Sequence, residues 1–133
     1  MKTLPKRTPE DELGFAARHG DTATVRTLLL AGVAPDPKGN SVAALMVACE
    51  GGYTEIAILL LDAGADANHC NRAGETALHY AVWSKDPQLI RLLLARGADP
   101  MAATIEKGNT PSLYAAWNGY CEVEEALLEA MQP

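Results

Sequence analysis

Few side chains in this sequence carry reactive chemistry: His19, His69 and His79, and Cys49, Cys70 and Cys121. His69 and Cys70 are the one adjacent pair of the two types, and a thiolate beside an imidazole can ligate zinc or act as a nucleophile with its base. Zinc needs three or four ligands at recognisable spacing, yet none accompanies this pair and the thiols form no C-x-x-C. No other nucleophile stands beside a base, so the sequence offers no catalytic residue, no metal site and no cofactor motif. A metal-dependent or thiol enzyme using His69, Cys70 or His19 is the rival reading, separable by metal analysis. Unpaired cysteines point to reduced thiols and a cytoplasmic, reducing setting. Glu122, Glu124, Glu125 and Glu129 read as a solvated helix face.

Recognition chemistry is better represented. The phrase Tyr80-Ala81-Val82-Trp83 recurs as Tyr114-Ala115-Ala116-Trp117. It sits inside a longer repeat: Leu60-Leu61-Asp62-Ala63-Gly64-Ala65-Asp66 returns 33 residues later as Leu93-Leu94-Ala95-Arg96-Gly97-Ala98-Asp99, and Leu28 to Ala34 is a looser copy. The turns before these phrases fall at Gly20, Gly52, Lys85 and Gly119, at steps of 32, 33 and 34 residues. Such self-similarity marks a repeat architecture.

Gly74-Glu75-Thr76-Ala77-Leu78-His79-Tyr80-Ala81 and Gly108-Asn109-Thr110-Pro111-Ser112-Leu113-Tyr114-Ala115 resemble the Thr-Pro-Leu-His-x-Ala phrase of ankyrin repeats. The resemblance implies an all-α solenoid of four stacked helix-turn-helix units with β-hairpin loops. Residues 1–9 read as a basic flexible tail and 10–133 as the repeat domain, with units over 10–36, 37–70, 71–103 and 104–133. In the second helix of the middle units, Ile56-Ala57 and Leu89-Ile90 are apolar, where the outer units have Thr24-Val25 and Val123-Glu124. Polar substitution at the outer units is what end caps require, so the chain reads as a complete, monomeric four-repeat stack.

Composition agrees. Hydrophobic residues make up 48% of the chain but aromatics only 5%, so the core must be built from Ala and Leu. The formal net charge is −6, although Lys2, Lys6 and Arg7 make the first nine residues basic. An acidic body repels phosphate backbones, which argues against nucleic acid. The apolar runs Val42 to Cys49 and Ile56 to Leu61 are far shorter than the ~18 residues of a membrane span, and the N-terminus lacks the apolar segment of a signal peptide.

Local departures from the pattern carry their own expectations. Thr8 or Asp11 can cap the first helix. Lys85 stands where the other units have Gly, a turn position favouring positive φ, and Asp86-Pro87 can offset the strain as N-cap and first helical residue. Ala43 and Met46 replace the Thr and His of the phrase, leaving Asn40 or Ser41 as possible caps. Two prolines stiffen the loop Ala34 to Gly39, expected to be the most irregular of the stack. Cys49 aligns with Ala17, Val82 and Ala116 on the buried side of the first helices.

One repeat position, read across the units, holds Arg18, Glu50, Trp83 and Trp117; one turn earlier stand Phe15, Val47, Tyr80 and Tyr114. The second row reads as packing between helices, and His79 as a structural tie to loop backbone. The resemblance implies that the first row lies on the concave side with the loop tips, where a partner protein binds. A position that accepts both charges faces solvent, so the two indoles should lie exposed, side by side, roughly 10 Å apart. Arg72, Glu75, Glu106, Lys107 and Asn109 on the loop tips, with Ser84 and Asn118, complete an aromatic centre and a charged rim. The function implied is a non-enzymatic module binding another protein; an inhibitor or immunity-type protein occluding an enzyme's site is the alternative.

Overall fold

A computed structural model describes residues 8–39 and 42–132. Among these the chain forms four helix pairs: α1 (Pro9–Arg18) with α2 (Thr22–Leu30), α3 (Ala44–Glu50) with α4 (Thr54–Asp62), α5 (Ala77–Val82) with α6 (Pro87–Ala95), and α7 (Pro111–Trp117) with α8 (Cys121–Ala130). The first helices stack in the order α1, α3, α5, α7, and in the outer layer α2 packs on α4 and α6 on α8. This is the all-α stack that the repeat implied. The connecting loops form the closing turn of a hairpin alone: Asn71 N–H donates to the Glu75 carbonyl at 3.0 Å and Thr104 N–H to that of Asn109 at 2.9 Å, with no strand among the described residues.

Local chemistry sets the helix starts. Thr8 caps α1 in a reciprocal box with Asp11, so the first unit takes in Thr8 and Pro9, which the sequence had assigned to the tail. Asp21, Asp86 and Thr110 cap α2, α6 and α7. Lys85 has φ 61°, beside φ values of 73°, 73° and 70° at its register mates Gly20, Gly52 and Gly119. The turn geometry therefore overrides the residue type, with Pro87 seated at the start of α6 as expected.

The core is the continuous seam of small and branched side chains between layers. Ala16, Ala48, Ala81 and Ala115 share one register position and are all buried, as are Leu13, Leu45, Leu78, Leu60, Leu93 and Leu127. Cys49 is buried with its mates Ala17 and Val82. Ala116, expected with them, is exposed, because no described helix covers that side of α7. One ion pair crosses each successive pair of outer helices: Arg26–Glu55 at 3.3 Å, Arg96–Asp62 at 2.8 Å and Arg91–Glu129 at 3.6 Å. All three are substantially exposed and contribute about 0–1 kcal/mol each.

Polar ties between units are more directional. His79 is fully buried; its Nδ1 accepts the Thr76 N–H at 3.0 Å, which leaves the proton on Nε2 to donate to the Asn109 carbonyl at 2.8 Å. One neutral imidazole thus caps α5 and holds the next loop. Met46, its mate in the second unit, reproduces the first contact only: the Ala43 N–H points at its sulfur at 3.4 Å. The caps considered for this helix, Asn40 and Ser41, lie outside the described residues, and the N-cap position belongs to Ala43.

A second tie links the ends of the outer helices. Asn68 Oδ1 accepts the Asp99 N–H at 2.7 Å while its Nδ2 donates to the Gly97 carbonyl at 2.8 Å. One unit earlier Asp36 Oδ2 accepts the Asp66 N–H at 2.9 Å, but its other oxygen is buried without a hydrogen-bond partner. By register that oxygen stands where Asn68 has its amide and should face the Gly64 carbonyl, to which a carboxylate cannot donate.

Two outcomes follow from these ties. Asp36→Asn should raise the unfolding free energy by about 1 kcal/mol by giving the buried atom a proton to donate, and a denaturant melt showing no gain contradicts that pairing. Burial lowers the His79 pKa below 6.5, against opposing contributions from the Asn109 carbonyl and Glu75. Its contribution to stability is therefore complete above about pH 6.5 and falls as pH drops from there to the folded-state pKa, by at most about 1.4 kcal/mol per pH unit. His79→Gln should be less stable at neutral pH yet show a flatter profile through that window; parallel profiles would exclude the assignment.

Candidate functional site

The row of Arg18, Glu50, Trp83 and Trp117 is exposed at every unit, with Trp83 43% and Trp117 64% accessible. Each residue is held at the C-terminal end of a first helix, two positions after the buried alanine of the seam. The position is open to solvent as its mixed occupancy implied. The indoles are joined through a third ring: Tyr114 lies 5.9 Å from Trp83 and 6.4 Å from Trp117, centroid to centroid, tilted 37° to each. Tyr120 meets Trp83 edge-on at 6.5 Å.

Loop-tip residues converge separately and adjacently. Arg72, Glu75, Glu106, Lys107 and Asn109 line one open groove of about 530 Å³, and Tyr114 is part of its wall. Tyr114 is thus shared by the aromatic cluster and the groove. Its hydroxyl donates to Glu75 Oε2 at 3.2 Å, and Asn71 Nδ2 donates to Glu75 Oε1 at 3.1 Å. Burial raises the Tyr114 pKa first, and the Glu75 charge raises it further, so the phenol remains a donor at neutral pH. Tyr80, also raised chiefly by burial, accepts from the same Asn71 amide at 3.0 Å.

Other residues chosen from sequence are placed less centrally. Ser84 Oγ donates to the Ala81 carbonyl at 2.6 Å and accepts the Asp86 N–H, which commits it to the Lys85 turn. Asn118 is exposed and bonds the Tyr114 carbonyl at 2.8 Å. Arg18 and Glu50 stand in the same row on α1 and α3, outside the set that lines the groove, with their charges acting on Tyr80.

The row one turn earlier divides. Val47 is buried between helices as read, whereas Phe15 is 47% exposed with its ring 4.1 Å from that of His19 and tilted 48° to it, and Tyr80 and Tyr114 are half-buried. Sequence reasoning assigned Tyr114 to packing and did not single out Ile105, which is 72% exposed at the loop tip. The available signal for Tyr114 was its position one turn before Trp117 and its repetition of Tyr80.

A profile described as ankyrin repeats (3 copies) matches residues 13–104. The chain is similar to an ankyrin repeat and KH domain-containing protein of Caenorhabditis briggsae, 34% identical over 118 residues, which are 86% of this chain and 4% of that protein. It is 42% identical over 90 residues to a putative ankyrin repeat-containing protein of Treponema pallidum, covering 66% of this chain and 30% of the relative. A third relative, the human B-cell lymphoma 3 protein, is 38% identical over 103 residues, 72% of this chain and 22% of its own length. The chain therefore spans less than a third of each of these relatives.

Among the described residues no three His, Cys, Asp or Glu side chains are placed to hold a metal ion. Burial pushes the Cys49 thiol up to about 12, so it stays protonated and inert. Cys70 is half-buried, and Cys121 is exposed with its sulfur 3.6 Å from the Gly119 carbonyl. A disulfide-exchange reagent applied to native protein should modify Cys121 first, Cys70 more slowly and Cys49 only on unfolding. Cys49 reacting as fast as Cys121 would show that the seam between α3 and its neighbours opens locally.

Proposed function

The chain belongs to the ankyrin repeat family, whose repeats are generally protein-protein interaction modules, and on that premise we propose that it binds one partner protein through the third and fourth units. The contact surface is the groove between the Arg72 and Lys107 tips together with the Trp83, Tyr114 and Trp117 cluster. The observation that carries the reading is the shared Tyr114, which makes a charged groove and an exposed aromatic patch one continuous surface. Trp117 is 64% exposed and adds little to a free stack, and Trp is enriched at binding hot spots. The function is binding rather than catalysis, because the groove holds no nucleophile with a base. Nucleic acid is disfavoured as the partner by the net charge of −6. Occlusion of an enzyme's site is a special case of the same contact, to be read from the partner's activity.

Trp117 provides the cleaner test, because Trp83 also packs on Tyr120 and its removal costs internal contacts. With the partner recovered by affinity purification from the native cell, Trp117→Ala should weaken binding by about 2 kcal/mol, roughly thirtyfold, with the melting temperature nearly unchanged. Intact binding in both Trp117→Ala and Trp83→Ala would remove the aromatic patch from the interface.

A further inference from the structure

The centre of this surface combines aromatic faces with fixed carboxylate charge. Glu75 is held at both oxygens, by Asn71 and by the Tyr114 hydroxyl, so its charge stays at the edge of the aromatic cluster. Glu50 stands exposed in the row that carries both indoles. The cluster already holds one cation of the chain itself: Lys85 Nζ lies 5.1 Å over the ring of Tyr120, which in turn meets Trp83. Indole faces attract ammonium and guanidinium groups more strongly than any other aromatic side chain does. A nearby carboxylate adds a counter-charge to the same guest.

Anionic and purely apolar occupants fit less well. An anionic group would meet the Glu75 carboxylate beside Tyr114, in a chain of net charge −6. A neutral apolar group would remove water from the Glu75 carboxylate without adding a counter-charge to the two hydrogen bonds it already accepts. Arg72 and Lys107 on the loop tips make the groove mixed in sign, which disfavours a polybasic stretch and leaves room for a single positive charge at the aromatic centre.

We infer that the Trp83, Tyr114 and Trp117 surface receives one cationic side chain, a Lys or Arg of the partner protein, seated on an indole face with Glu75 as its counter-charge. This inference rests on the protein-binding reading of the same surface and assigns the chemistry of the partner's central contact. Glu75 acts as a specificity residue: it selects a positive group over an isosteric neutral one.

The test is a titration of isotope-labelled protein with the blocked tripeptide Gly-Arg-Gly and with its uncharged counterpart containing citrulline, followed by the indole N–H resonances of Trp83 and Trp117. The arginine peptide should shift the Trp117 indole with saturation in the millimolar range, and citrulline should bind about tenfold more weakly. Glu75→Gln, whose oxygen still accepts from Asn71 while its amide can donate to the Tyr114 hydroxyl oxygen, should lose most of that preference while its melting temperature holds. Trp117→Ala should abolish saturation. Equal responses to the two peptides, no response to either, or a stronger response to Gly-Asp-Gly each overturn the cation assignment. If the native partner nevertheless requires Trp117, the binding surface stands and only its chemistry falls; if the partner ignores both indoles, the surface itself is wrong.

Discussion

Two short antiparallel helices have more apolar surface than they can bury against each other, so each pair in this chain depends on the pair before and after it. The point of dependence is the seam of Ala16, Ala48, Ala81 and Ala115, one small residue per unit, all buried. A methyl group at that position lets the first helices approach closely enough for Leu13, Leu45 and Leu78 to fill the space between layers. A larger side chain would force neighbouring pairs apart along the whole stack, because every unit is both a support and a load. The Ala-rich, aromatic-poor composition follows from this spacing. Aromatic rings are too thick for the seam, so they sit at its edge, where they are available for contact.

Directional bonds then fix what the seam leaves free. Small apolar faces permit sliding and rotation, and the register between units is held by His79 on the Asn109 carbonyl, by Asn68 on Asp99 and Gly97, and by Asp36 on Asp66. These ties are imperfectly repeated. Met46 supplies one contact where His79 supplies two kinds, and Asp36 leaves an oxygen buried without a partner where Asn68 is satisfied on both sides. Among the described residues these ties are thus better satisfied at the third unit than at the second, while the apolar seam thins at the fourth, where Ser112 holds the register position of Leu13, Leu45 and Leu78.

How much could be read from the sequence depended on whether register or side-chain reach decided the outcome. The four units, the strained turn at Lys85, the cap at Asp86 and the exposure of Trp83 and Trp117 are register properties, and alignment of the repeats is enough to obtain them. The convergence of Arg72, Glu75, Glu106, Lys107 and Asn109 on one groove follows the same logic, since loop tips of stacked units must lie side by side. Tyr114 was not legible, because its register mates include Phe15 and a buried Val47, and only the rotamer places its ring against both indoles and its hydroxyl on Glu75. The two indoles, expected side by side about 10 Å apart, each meet the Tyr114 ring between them. The exposure of Ala116 was missed for a different reason: its mates are buried only because a following helix covers them.

The position of the candidate surface is itself a consequence of the uneven ties. Between the third and fourth units three hydrogen bonds cross near the groove: His79 to Asn109, the Ile105 N–H to the Ala73 carbonyl at 2.9 Å, and Tyr114 to Glu75. Gly74 makes the second of these possible, since a Cβ there would lie 3.0 Å from the Ile105 nitrogen and side chain. Each bond is anchored at one end in a helix or a turn that the seam holds in place, so the two loop tips form one preorganised wall. Ordering flexible loops on binding costs free energy that must be drawn from the contact itself. A wall already held in place avoids most of that cost, which favours the proposed surface on the half of the stack whose loop tips are bonded to each other.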